Sequence, residues 1–206
     1  MLLVRHGQTP TTGKVLPGRA PGLHLADKGI EQARAVAERI AVLHTPERPV
    51  AAVYASPMER TRETAAPIAA ALGLRVRRAK GLVECDFGDW TGAELKRLAK
   101  LPEWRTVQRH PSGFRFPGGE SFLEMQARMA SAIDAIRHEH PGRTVVAVSH
   151  ADPIKAAVAQ ALGTHLDLFQ RIVVSPCSVS AILYGVDGPT VLAVNSTGDL
   201  RALAPS

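Results

Sequence analysis

The feature that most constrains this chain is an alternation. Short runs of Val, Ala, Leu and Ile are separated by stretches with helical periodicity. A strand that is apolar on both faces needs cover on both sides, and helices between successive strands provide it. The pattern predicts an α/β fold of three layers, α/β/α, around a mostly parallel central sheet. The expected strands are Leu2–Val4, Val50–Tyr54, Leu74–Arg77, Thr144–Ser149, Val179–Tyr184 and Val191–Val194, the last two joined as a hairpin around Asp187-Gly188-Pro189. Asp27 is the expected N-cap of a helix to about Leu43, with Ile30, Ala33, Val36, Ala37 and Ile40 on one stripe. Ser56 as N-cap and Pro57 at the first helical position predict a helix to Leu72, stopped by Gly73. Further helices are expected from Gly119-Glu120-Ser121 to about His138 and from Pro153 to Leu162. Between Gly81 and Gly119 regularity falls away apart from a helix near Gly92 to Ala99, and Pro102, Pro111 and Pro117 punctuate the segment. Residues 1–206 are therefore read as a single domain with an insertion at about 81–119 lying over the sheet.

Three of the strands run into polar chemistry at their C-terminal ends: Arg5-His6, Ser56 to Arg60, and Ser149-His150. In open α/β sheets ligands bind outside the carboxyl ends of the strands, so these groups are expected to converge on one pocket. A neutral imidazole is a nucleophile near neutral pH, and a neighbouring guanidinium can hold a phosphoryl group by paired hydrogen bonds. His6 is the candidate nucleophile and Arg5 its partner, with Gly7 letting the backbone turn and leaving the imidazole open. Arg60 falls in the first turn of a helix, where backbone N–H groups and the dipole favour an anion. A leaving alkoxide also needs a proton donor. Glu84 follows two apolar residues, Leu82 and Val83, and is suited to a desolvated carboxyl with a raised pKa, whereas Asp86 and Asp89 read as loop-capping groups.

The net charge of +6, from 25 basic and 19 acidic residues, favours anionic ligands without choosing among them. The densest basic run, Arg75 to Lys80, lacks interleaved aromatics and reads as a solvated edge strand, so nucleic acid is not an expected partner. No apolar run is long enough to span a membrane, and Met1 leads directly into a strand, leaving no room for a removable leader. Two cysteines, Cys85 and Cys177, form no metal or redox motif, so the expectation is a reduced, cytoplasmic protein. Aromatic content is only 4%, so the core is expected to be mainly aliphatic.

Arg5-His6-Gly7, Ser56-Pro57-x-x-Arg60, Glu84-x-x-Phe87-Gly88-x-Trp90-x-Gly92, Gly119-Glu120-Ser121 and Ser149-His150 occur in the order found in one family. The chain resembles the histidine phosphatase superfamily, the phosphoglycerate-mutase-like group, from residue 2 to beyond residue 150. The resemblance implies that His6 is transiently phosphorylated. Arg5, Arg60 and His150 would surround the phosphoryl oxygens, and Glu84 would protonate the leaving oxygen and then activate water. It implies no cofactor and no metal, since two arginines and a second histidine supply the positive charge. His24, His44, His110, His138, His140 and His165 are left as surface groups.

Two departures bear on the substrate. Where many relatives carry Trp-Asn this chain has Thr11-Thr12, so the hydroxyls of Thr12 and Thr9 become the candidate phosphate ligands. After His150, where relatives often have Gly, stand Ala151 and Asp152. A carboxylate there repels phosphate unless it pairs with an arginine or meets a substrate hydroxyl or amine. The short chain favours a phosphomonoesterase acting on a small phosphorylated metabolite. Two alternatives stay open: a phosphomutase, for which Lys14 to Arg19 and the Arg105, Arg109, His110 and Arg115 group offer further cations, and a weakly catalytic phospho-ligand-binding protein. Oligomeric state is not fixed by these residues.

Overall fold

The computed structural model describes residues 1–200. Six strands form one sheet: β1 (Leu2–Arg5), β2 (Val50–Ala55), β3 (Val76–Arg78), β4 (Thr144–Ser149), β5 (Val179–Gly185) and β6 (Gly188–Ser196). Their order is β3-β2-β4-β1-β5-β6. β3, β2, β4 and β1 run parallel, and the hairpin β5–β6 adds to β1 in antiparallel sense. The helices are α1 (Asp27–Ala41), α2 (Glu59–Ala71), α3 (Leu95–Leu98), α4 (Pro102–Arg109), α5 (Phe122–Glu139) and α6 (Ala151–Ala161).

Side-chain alternation along the strands sorts the core into two layers. Leu2, Val4, Val53, Ala55, Val146 and Val148 face Ala33, Val36, Ile40, Ala65 and Ile68 of α1 and α2. Leu3, Ala52, Tyr54, Val145 and Ala147 face Met129, Ile133, Ile136, Ile154 and Val158 of α5 and α6. The three-layer expectation holds, and the reason is visible in β1 and β4: every residue of their apolar runs meets a helix on one side or the other.

A third core packs the segment Cys85–Phe116 against α5, α6 and Phe169. All five phenylalanines of the chain (Phe87, Phe114, Phe116, Phe122 and Phe169) pack there with Trp90 and Trp104. The aliphatic expectation therefore applies to the sheet layers alone. Phe122 is fully buried and meets Phe116 and Phe169 edge to face at centroid separations of 5.2 and 5.0 Å. Phe122→Ala should lower stability by about 3–5 kcal/mol, read as an earlier denaturant midpoint with unchanged slope.

Several boundaries differ from expectation. α1 begins on Asp27 after Ala26, which offers no capping side chain, and Ile30 is exposed rather than on the buried stripe. α2 begins at Glu59, three residues past Ser56: the Ser56 N–H still extends the sheet by bonding the Val148 carbonyl, and its hydroxyl is engaged elsewhere. α6 starts at Ala151, two residues before Pro153. The helix expected over Gly92–Ala99 is the single turn α3, whereas Pro102 starts α4 as an N-terminal proline rather than breaking a segment. α5 begins as expected, with Ser121 and Glu124 forming a reciprocal capping box.

Candidate active site

The site grows out of the sheet ladder. Arg5 is in register with Ser149, and the His6 N–H bonds the Ser149 carbonyl at 3.0 Å, so β1 and β4 present Arg5, His6 and His150 together at their carboxyl ends. Gly7 is needed for close approach rather than for turning: a Cβ there would lie 2.6 Å from the Gly29 carbonyl oxygen of α1. Its N–H donates to the Thr64 hydroxyl at 3.0 Å, and that hydroxyl donates to the Arg60 carbonyl, tying the first motif to α2.

His6 is almost fully buried. Its Nδ1 lies 2.7 Å from the Gly7 carbonyl oxygen. A carbonyl only accepts, so the ring proton sits on Nδ1 and Nε2 keeps its lone pair. Burial, then Arg60 and Arg5, hold the imidazole pKa down to about 3. His150 stands 5.3 Å away between ring centroids, edge to face. Burial, followed by the charge of Arg60, keeps it well below the ordinary histidine value. Its Nε2 is 2.8 Å from the Ser56 hydroxyl; when that hydroxyl donates, the ring proton lies on Nδ1. This bond explains why Ser56 caps no helix.

The guanidinium groups are only partly committed. Arg60 is fully buried and gives one N–H to the Gly18 carbonyl at 2.8 Å, and Arg5 gives one to Val174 at 2.6 Å. Arg5 Nε, Arg60 Nε, Arg60 Nη1 and His150 Nδ1 are buried without a protein partner among the described residues. Unmatched buried donors at this density call for an anion rich in acceptor oxygens.

Glu84 is buried, with Oε2 at 3.9 Å from His150 Nδ1 and Oε1 accepting the Cys85 N–H at 2.9 Å. Burial first, and then the negative charge of Asp152, raise its pKa to about 7, against the opposing pull of Arg60. Its backbone is clamped. Arg19 donates to the Glu84 carbonyl at 2.8 Å and to Glu120 at 2.9 Å, and Arg128 grips both Glu120 oxygens and the Gly81 and Val83 carbonyls. Gly119 permits this, since a Cβ there would sit 2.4 Å from the Asp86 carbonyl oxygen. Arg19 was expected only as a spare cation and Arg128 was not singled out; the Gly119-Glu120-Ser121 motif was the signal that pointed near their shared partner Glu120.

Arg5, His6, Arg60, Glu84 and His150 are thus brought together. Thr9 and Thr12 bond each other: the Thr9 N–H donates to the Thr12 hydroxyl at 2.8 Å, and the two hydroxyls are 3.0 Å apart. Of the other histidines, His44 and His140 are half-buried rather than surface groups; the ring of His140 lies 3.0 Å from the Tyr54 hydroxyl. Among the described residues no group of three or more His, Cys, Asp or Glu is placed to hold a metal. A cleft of about 750 Å³ lies at the opposite end of the strands, lined by Met1, Arg48, Arg143 and Tyr184 among others, and contains none of the site residues.

A family model described as histidine phosphatase superfamily (branch 1) matches residues 1–197. The chain belongs to that superfamily. Within it, the chain is 31% identical over 202 residues to phosphoserine phosphatase 1 of Hydrogenobacter thermophilus, covering 96% of this chain and 92% of that protein. It is 35% identical over 204 residues to a bifunctional protein of Mycobacterium tuberculosis, covering 97% of this chain but 54% of the relative, so the chain spans about half that protein's length. A phosphoserine phosphatase from Entamoeba histolytica, solved with 3-phosphoglyceric acid, superposes with a TM-score of 0.83 at 24% identity, covering 95% of this chain and 96% of that one; the same protein was also solved with phosphoserine. At that identity the likeness shows the shared fold of the superfamily.

Proposed function

We propose that this histidine phosphatase is a phosphomonoesterase acting on a small phosphorylated metabolite. The observation that carries the reading is the set of unpartnered buried donors from Arg5, Arg60 and His150 beside a neutral His6 with its Nε2 lone pair free. In the first step Nε2 attacks phosphorus, the ester P–O bond breaks, and the leaving alkoxide takes the proton of Glu84. In the second, water attacks the phosphohistidine, gives its proton to Glu84, and inorganic phosphate departs with the lone pair returned to Nε2. Arg5, Arg60 and His150 stabilise the charge spread over the phosphoryl oxygens in both steps. The names of the phosphatase relatives support this choice.

The alternative of a phosphomutase needs a second set of free cations. Arg19 is consumed by Glu84, Asp86 and Glu120, Arg115 pairs with Glu124, and His110 pairs with Asp167, which leaves only Lys14, Arg105 and Arg109 of that group for a second phosphate and favours hydrolysis. Cys85 and Cys177 are buried free thiols, in keeping with a reduced, cytoplasmic setting. Among the described residues no helix is long and apolar enough to cross a membrane.

Phosphate release from a panel of phosphomonoesters tests the proposal. Hydrolysis should proceed at the same rate with and without a chelator, because the positive charge comes from Arg5 and Arg60. Dependence on added metal, or isomerised product outrunning free phosphate when a bisphosphate primer is supplied, would defeat it.

A further inference from the structure

Asp152 is the residue the proposed chemistry does not use. It stands in the first turn of α6, two residues after His150, with its side chain 17% exposed. Its charge acts on Glu84 and on Arg5, both groups of the site. An anionic side chain beside a cradle for a phosphate dianion opposes every substrate unless the substrate brings a cation of its own. Lys155, one turn along the same face, only partly neutralises it. The Lys155 Nζ is 3.3 Å from Asp152 Oδ1 and 2.9 Å from Gln170 Oε1, so two of its three donors are committed. Asp152 Oδ2 has no hydrogen-bond partner among the described residues. The pair therefore offers one free acceptor and one free donor side by side.

We propose that Asp152 and Lys155 read a zwitterion: Asp152 takes the ammonium and Lys155 the carboxylate of an O-phosphorylated α-amino acid whose phosphate lies among Arg5, Arg60 and His150. This rests on the phosphomonoesterase reading and narrows its substrate class. A substrate with both charges on one carbon matches the pair head to tail, exchanging one internal ion pair for two charge-assisted contacts. A monoester carrying only a hydroxyl at that carbon brings Asp152 no ammonium, and Lys155 stays its one cationic contact.

Initial rates on O-phosphoserine, 3-phosphoglycerate and phosphoethanolamine separate the two contacts. 3-Phosphoglycerate has a hydroxyl in place of the ammonium, and phosphoethanolamine lacks the carboxylate. Asp152→Asn should lower kcat/KM for phosphoserine relative to 3-phosphoglycerate by about ten- to a hundredfold. Lys155→Met should lower phosphoserine relative to phosphoethanolamine by about tenfold, giving a second, independent reading. Any influence of Asp152 on Glu84 is common to all three esters and cancels in these ratios. The inference is overturned if the wild type hydrolyses 3-phosphoglycerate as well as phosphoserine, or if Asp152→Asn leaves their ratio within about twofold of the wild type. Failure of the wild type to hydrolyse any ester is a different result, and it defeats the phosphomonoesterase reading itself.

Discussion

Replacing His6 by alanine should abolish turnover, with kcat falling on the order of 10⁴-fold or more, while phosphate still binds. No neighbour can take over the attack. His150 is the nearest imidazole, but its Nε2 is engaged by Ser56 and its Nδ1 lies on the side of Glu84. The donors of Arg5, Arg60 and His150 do not depend on His6, so inorganic phosphate should bind the variant within a few-fold of wild type. Quenching in alkaline detergent during turnover of a ³²P-labelled ester provides the direct check. The wild type should retain acid-labile, base-stable label on protein, and the His6 variant should retain none. Label persisting in the variant would place the nucleophile elsewhere.

Glu84→Gln should cost about 10²- to 10⁴-fold in kcat for alkyl phosphates and remove the alkaline limb of the pH profile. With a pKa near 7, Glu84 is protonated below neutrality and able to donate; kcat/KM should fall as pH rises through about 7. His6 does not shape the acid limb, because its pKa of about 3 keeps Nε2 unprotonated throughout the working range. Loss on the acid side is expected instead from protonation of the substrate phosphate, whose second pKa is about 6. Glutamine resembles the protonated carboxyl in shape and charge, so burial does not penalise the variant's fold. A p-nitrophenyl ester needs no proton on its leaving group, so its first step should survive while the water step slows. The expected signature is a burst of nitrophenolate equal to the enzyme concentration. An unchanged alkaline limb in the variant would assign the acid to another residue.

Much of this was readable in the residues, for reasons that can be stated locally. Leu2–Val4 and Thr144–Ser149 are apolar on both faces, so their central place in the sheet follows from burial alone. His6 and His150 were legible because each directly follows a strand, and Arg60 because it falls in the first turn of the helix after one. Ser56 misled because serine followed by proline is a sound helix start in isolation; what decided its role was His150, 94 positions away, which no local pattern contains. Thr12 was read as a phosphate ligand by its place in the motif; that its hydroxyl also accepts the Thr9 N–H in a four-residue turn was not legible there. The Arg19–Glu120–Arg128 clamp joins three distant segments and has no periodicity to reveal it. α4 was missed because Pro102 was weighed as a breaker, although proline at a first helical position loses no hydrogen bond.

The place of β1 in the sheet also sets an order of events. Leu2 pairs with Val146 on one side and with Ala181 on the other, so the strand leading into His6 has no ladder partner until residues far along the chain arrive. Helices α1 and α2 and the parallel pair β2–β3 can form from nearby sequence, whereas docking β1 closes loops of well over a hundred residues. During synthesis His6 emerges well over a hundred residues before the strands that flank β1, and it is secured only after they arrive. Until then Leu2–Val4 is an unpaired apolar strand, the segment of a nascent or partly unfolded chain with most to gain from a chaperone and most to lose by meeting another copy of itself.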